Sequence, residues 1–344
     1  MLSPDRLADA IEVAYEAGWT DGLPVVPPTR DRVQQFLDAA GRDPGELIGE
    51  IPPLGGRATI EKVAINAVMA GCRPEYLPIV IAALEALLQP PFNLRAVQCS
   101  THIATPLLIV NGPIVDRTGL NYGNNCFGQG NRANATIGRA VKLVLTNVGG
   151  AIPGEADKAT FGHPGKYTFC IAENEAANPW EPLHVDRGFA PDDSVVTVHP
   201  SEAPHNLQNH GADNPRDLLT TFADSMAILC CNTIHVMGDV LLVIGPEHAQ
   251  IIARAGWRKN DVRQFLFERA RQPIGLLKLG GIHGRNTHRN NLWPRWVDRD
   301  DDESPVPIVR RPEDIHLAVA GGPGRHSVYL PGWGSRVTSA KIRS

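Results

Sequence analysis

AVQCSTHIATPLLIVNGP (96–113) and AILCCNTIHVMGDVLLVIGP (227–246) decide how this chain reads. Each follows an apolar, helix-like stretch. Each carries Cys, Thr and His in the same order: Cys99, Thr101 and His102 in one, Cys231, Thr233 and His235 in the other. Each runs into an apolar strand that ends in Gly-Pro, with a helical pattern beyond it. Two strands per copy, 94–104 with 106–113 and 228–236 with 239–246, predict a pair of helix–β-hairpin–helix units. Chance likeness of two short segments is the alternative. If the units are related, a site belongs where they meet, because such junctions commonly hold pockets.

Helices and short strands extend outward from these units. Ser3-Pro4 opens a helix whose stripe of Leu7, Ile11 and Tyr15 stops near Gly18. Thr29 caps a second helix with Val33, Phe36 and Leu37 on one face and Gly41 past its end, and Thr59 caps a third that closes at Gly71. Residues 75–88 read as a nearly all-apolar helix buried on most sides. Further helices are expected over 135–147, 215–228, 247–255 and 259–270. Strands are expected over 167–173, 194–200, 315–322, 327–333 and 337–342. The whole predicts a mixed α/β (α+β) fold in one large domain with two lobes, about 1–150 and 151–344.

The chain has 344 residues, 42% of them hydrophobic and 20% charged, enough to bury a sizeable core without disulfide or metal staples. Lys and Arg total 33 against 37 Asp and Glu, a net charge of −4, which leaves no basic footprint for nucleic acid. The N-terminus carries acids and lacks the basic start and apolar run of a signal peptide, and the apolar stretch 77–88 is too short to span a bilayer. A cytoplasmic protein without a membrane partner is the expectation, with a homodimer as the commonest soluble assembly. None of the six cysteines forms a CxxC pair.

Three places concentrate chemistry. The first is NYGNNCFGQGNRANATIGRA (121–140), where Asn and Gly crowd the start of a helix. Free N–H groups and a positive dipole end suit an anion or oxyanion there, with Asn124, Asn125, Asn134, Thr136 and Arg139 as contacts. Neither a P-loop nor a dinucleotide fingerprint is present, so no nucleotide cofactor is expected. Cys126 lies in this loop as a candidate nucleophile, with an inert buried thiol as the alternative. The second place, 163–210, holds five of the 12 histidines. His205, His210 and Glu175 could hold a divalent metal such as Zn, and His184 with Asp186 or Glu175 could form an acid–base pair, His205 being a further catalytic candidate. The third is His102 and His235 on the matched strands, as substrate contacts. A Gly-rich stretch with His283, Arg285 and His288 is a lesser candidate anion loop.

EKVAINAVMAGCRPEY (61–76), ANATIGRAVKLVLTNVGGAIPGE (133–155), TFGHPGKYTFCIAENE (160–175), PWEPLHVDRGF (179–189), LLVIGPEHAQIIARAGW (241–257) and AGGPGRH (320–326) together resemble a little-characterised bacterial family associated with UGSC-motif (seleno)protein modules. The resemblance implies an enzyme or enzyme subunit. No CGSC occurs in this sequence, so a redox module would be a separate small thiol or selenol protein.

The leading expectation is an enzyme acting on a small anionic or carbonyl-bearing metabolite by hydrolytic or lyase chemistry, with the 124–139 loop binding the anion. The alternatives are a thiol-dependent redox subunit using Cys126 or Cys99, and a non-catalytic small-molecule binding protein.

Overall fold

A computed structural model describes residues 4–229, 232–281 and 292–343. The Cys230–Cys231 pair and the segment with His283, Arg285 and His288 lie outside the described residues.

The N-terminal third is helical: α1 (Pro4–Glu16), α2 (Arg30–Ala40), the antiparallel ribbon β1 (Leu47–Ile51) and β2 (Gly56–Thr59), then α3 (Ile60–Ala70), α4 (Leu77–Leu87) and α5 (Leu94–Cys99). The expected caps are in place. Thr29 and Thr59 accept from Arg32 N and Lys62 N, and Gly41 and Gly71 close their helices in the left-handed region. There follow β3 (Thr105–Asn111), α6 (Ile114–Thr118), α7 (Arg132–Asn147), β4 (Cys170–Ala172), α8 (Leu183–Asp186), β5 (Val195–Ser201) and β6 (His205–Gln208). The last third holds α9 (Pro215–Met226), α10 (Thr233–Val236), β7 (Val240–Ile244), α11 (Pro246–Arg254), α12 (Lys259–Arg269), β8 (Arg271–Pro273), α13 (Ile274–Leu279), β9 (Pro305–Pro307), β10 (Ile315–Val319), β11 (His326–Leu330) and β12 (Thr338–Lys341).

The mixed α+β class holds, but the hairpins do not form. Residues 94–99 are helix α5, not a strand, because Leu94, Val97 and Gln98 turn one helical stripe into the core. The second copy likewise enters β7 from helix α10. His102 therefore sits in a loop after α5 and His235 on α10, so the two are not partners on paired strands.

The eight main strands form two four-stranded sheets, ordered β12-β5-β3-β4 and β10-β7-β11-β6. Each has a central strand (β3 or β7) with a parallel neighbour (β4 or β10) and an antiparallel one (β5 or β11). The edge strands are exchanged: β6 follows β5 but joins the second sheet, and β12 follows β11 but joins the first. Sheet membership does not divide at residue 150, since β4, β5 and β12 complete the sheet that β3 begins.

Strand alternation stacks the layers. Leu107, Ile109 and Ile171 meet Leu241, Val243 and Ala318 in one apolar cluster between the sheets. Leu108, Val110 and Val198 turn the other way, under α2, α3, α4 and α7. Leu242, Leu317 and Tyr329 turn under α9, α11, α12 and α13. Gly112 and Gly245, the glycines of the two Gly-Pro pairs, share one reason. A Cβ on either would stand 2.1 Å from a carbonyl oxygen of the passing chain, Asp193 O and His326 O respectively.

Candidate functional site

Helix α7 carries both the expected anion loop and an unexpected cleft. At its N-terminus the Asn-rich loop is spent on itself. Asn131 caps the helix by accepting from Asn134 N at 3.0 Å. Asn134 is buried; it accepts from Asn121 N at 2.8 Å and donates to Asn121 O and Cys126 O. Asn125 donates to Gln129 O, and the Asn124 side chain lies under Gly322, where a Cβ would be 1.3 Å from its Oδ1. Thr136 donates to Arg132 O, and Arg139 makes a two-pronged pair with Asp21 at 2.8 and 2.7 Å. These groups build the loop and fasten residues 21–24 to α7; the expected anion site is not assembled from them.

Cys126 is buried within this loop, and burial pushes its thiol up to about 11. Burial likewise raises Cys72 to about 12 and pushes Cys170 well above the usual range. Cys126 is therefore a protonated, buried thiol at neutral pH and not the activated nucleophile its place in the loop suggests. Iodoacetamide at pH 7.5 is expected to leave Cys126 unmodified in the folded protein and to modify it in urea. Alkylation of the native protein at the rate of free cysteine would contradict this.

The polar middle of the chain also separates. His184 is fully buried, its Nδ1 without a hydrogen-bond partner and 3.9 Å from Glu175 Oε1. It does not pair with Asp186, which is gripped by Arg263 and lies 3.8 Å from Lys259 Nζ. Against the upward push of burial, Arg263 and Lys259 hold Asp186 below the usual carboxylate range. Glu175 instead accepts from Asn111 Nδ2 at 2.9 Å and Gly112 N at 2.7 Å. His205 and His210 are exposed near the β6 edge, and His210 packs edge-on against His326. His205, His210 and Glu175 are not brought together, and among the described residues no three His, Cys, Asp or Glu side chains are grouped as a metal would need. His102 accepts from Ala104 N through Nδ1, which leaves its proton on Nε2 to donate to Glu202 at 2.8 Å.

Two buried carboxyl groups join the layers. Glu173, 1% exposed, receives four donors: Asn111 Nδ2, Leu183 N, Asn178 Nδ2 and Val319 N, at 2.7–3.1 Å. Asp239 receives Arg336, Val337 N and His316. Burial pushes Asp239 up, but His316, Val337 N and Arg336 outweigh it and hold the carboxyl at about 2. Its folded value lies below its unfolded one, so it stabilises the protein above the unfolded value near 4. That contribution, about 2 kcal/mol, is lost as pH falls from about 4 to 2. In acid titrations followed by circular dichroism, Asp239→Asn is expected to lack this part of the wild-type slope. An identical slope in both proteins would refute it.

Farther along α7 a cleft of about 650 Å³ opens between residues 20–22, the helix and the loop 151–167. Arg139, Lys142 and Thr146 lie along one side of α7 at helical spacing. The segment 19–24 is tied to that side by the Arg139–Asp21 pair and by Asn147 donating to Trp19 O. The opposite wall is shaped by Ile152 O, which accepts from the backbone of Glu155, Ala156 and Asp157. Lys166 closes it, donating to both Asp157 oxygens at 2.7 and 2.6 Å. Phe161 and Tyr167 stand at the rim, 91% and 47% exposed.

Lys142 is half-buried in this cleft and makes no hydrogen bond or ion pair among the described residues. Burial, then the neighbouring Lys166 ammonium, lower it to about 8. His163 beside it is neutral: burial lowers it to about 4, and its Nδ1 accepts from Gly165 N at 3.2 Å. Sequence reasoning passed over Lys142. The available signal was a single cation inside the apolar run VKLVL (141–145) of an amphipathic helix.

No family model and no curated protein matches the chain. Among the described residues no single helix is long and apolar enough to cross a membrane.

Proposed function

We propose that this protein is an enzyme that activates a small carbonyl-bearing metabolite in the α7 cleft through the amine of Lys142, in a lyase-type reaction. The observation that carries this is the placement of Lys142: an unpaired amine beside a second ammonium, facing a cleft large enough for a metabolite. A lysine next to another cation and partly withdrawn from water is available as a free amine near neutral pH, the form that attacks carbonyls. Two of the phrases that carry the family resemblance, 133–155 and 160–175, supply most of the cleft lining, which supports a functional reading of it.

The chemistry balances with water as the proton carrier. The Lys142 nitrogen adds to the carbonyl carbon, and the oxygen leaves as water carrying one proton from the amine and one delivered by solvent, giving a protonated imine. That cation draws in the electron pair of the bond between the adjacent carbon and a hydroxyl-bearing carbon, forming an enamine, while the other fragment gives its hydroxyl proton to water and leaves as an aldehyde or ketone. Protonation of the enamine and hydrolysis by water return the amine and the carbonyl product. The Asp157–Lys166 pair keeps a positive charge near Lys142 and orders the loop around it.

Reductive trapping tests the reading. Pyruvate or hydroxyacetone with cyanoborohydride is expected to add its carbon skeleton to the Lys142 peptide ahead of every other lysine. Labelling spread by surface exposure, with Lys142 unmodified, would sink it.

A further inference from the structure

The charges of the cleft constrain what Lys142 takes. While Lys142 is neutral, the charged groups lining the cleft are balanced: Lys166 by Asp157, and Asp21 by Arg139. As ammonium or as protonated imine, Lys142 carries one positive charge beside Lys166 that is left uncompensated, because Asp157, the nearest carboxylate, is held by Lys166 and Asp21 by Arg139. A carboxylate on the substrate, next to the carbonyl carbon, supplies the missing negative charge within bonding distance of the imine.

The size and rim of the cleft add a second constraint. About 650 Å³ would be left mostly water-filled by a three-carbon oxo acid. Phe161 is 91% exposed and Tyr167 47%, both on the lining, so two aromatic faces stand in water until something apolar covers them.

The geometry points to a 2-oxo acid with an aryl or similarly bulky apolar side chain as the substrate of this cleft. Its carboxylate sets against the imine at Lys142, and its apolar end lies on Phe161 and Tyr167. This rests on Lys142 being the imine-forming amine, and the experiment separates the two.

The full chain is treated with cyanoborohydride and one of three probes: phenylpyruvate, phenylacetone (no carboxylate) or pyruvate (no ring). Labelling of the Lys142 peptide is followed by mass spectrometry, and each rate is divided by that of Nα-acetyl-lysine with the same probe. Phenylpyruvate is expected to exceed each of the others by about tenfold or more, the scale of one desolvated ion pair or one covered ring. Phe161→Ala, at unchanged melting temperature, is expected to lower the phenylpyruvate rate by about tenfold. Equal rates for phenylacetone and phenylpyruvate overturn the oxo-acid assignment, and equal rates for pyruvate and phenylpyruvate overturn the apolar one. An unaffected Phe161→Ala overturns the seat on Phe161. Each of these leaves the imine chemistry standing. Absence of labelling at Lys142 with all three probes overturns both.

Discussion

Lys142→Met is expected to abolish reductive trapping at α7 and to lower turnover of a carbonyl substrate on the order of a thousandfold, while the fold survives. Methionine keeps the length of the side chain and adds no charge to a half-buried position, so melting should be unchanged or slightly higher. Lys142→Arg is the sharper control. It preserves the positive charge, yet a guanidinium stays protonated and forms no imine, so it should be as inactive as methionine. Activity retained in the arginine variant would reduce Lys142 to an electrostatic role.

The pH dependence follows from the same amine. With Lys142 lowered to about 8, roughly a quarter of it is free at pH 7.5, against about one in a thousand for an ordinary lysine. Trapping should therefore rise with pH, half-maximal near 8, and level off above it. The charged and titratable groups that line the cleft with this amine are Lys166, Asp157, Asp21, His163 and Tyr167, and Arg139, one turn away on α7, holds Asp21. Lys166→Met removes the like charge and leaves Asp157 unpaired, and both changes raise Lys142. The variant should lose rate at pH 7.5 and regain it near pH 10, which a merely misfolded loop would not do. A half-point that stays near 8 in Lys166→Met would contradict the arrangement.

The second large effect is on stability. Glu173→Gln should lower the unfolding free energy by about 3 kcal/mol, since two buried N–H donors would lose their acceptor at about 1–3 kcal/mol each. Burial raises Glu173, while Lys259 and the N–H donors pull it back. Four donors converge on its two oxygens, and only a carboxylate offers acceptors on both. An amide turned either way aims N–H groups at two donors. The donors come from the end of β3, from the α8 region and from the end of β10, so the change also loosens the seam between the sheets. Urea unfolding of the two proteins measures it, and a difference below about 1 kcal/mol would show that water or rotation satisfies the donors instead.

The helices were legible where local chemistry decides them. Thr29 and Thr59 cap, Gly41 and Gly71 terminate, and the stripe Val33, Phe36, Leu37 is buried as its spacing requires. In the segment 94–99 the apolar residues fit either the helical or the strand period over so few positions. Leu94, Val97 and Gln98 became a helix once the surrounding core received them. The Asn-rich loop attracted attention for a real reason, its density of hydrogen-bonding groups. Those groups have partners up to 118 residues away, such as Asp21 for Arg139, and no local pattern reveals that they are already used.

What the sequence determined by itself is the longer helices, the apolar strands that end in Gly-Pro and their buried faces, since capping, helical period and strand alternation act over a few residues. It also determined the matched Gly-Pro exits of the two central strands. Tertiary structure alone decided which sheet each edge strand joined. It also decided which polar groups were consumed as partners and which amine, among the described residues, was left without one. Lys142 is an ordinary lysine until Lys166, the 151–167 loop and residues 20–22 close around it. Burial and the neighbouring charge that change its chemistry arise only from residues distant in the chain brought side by side.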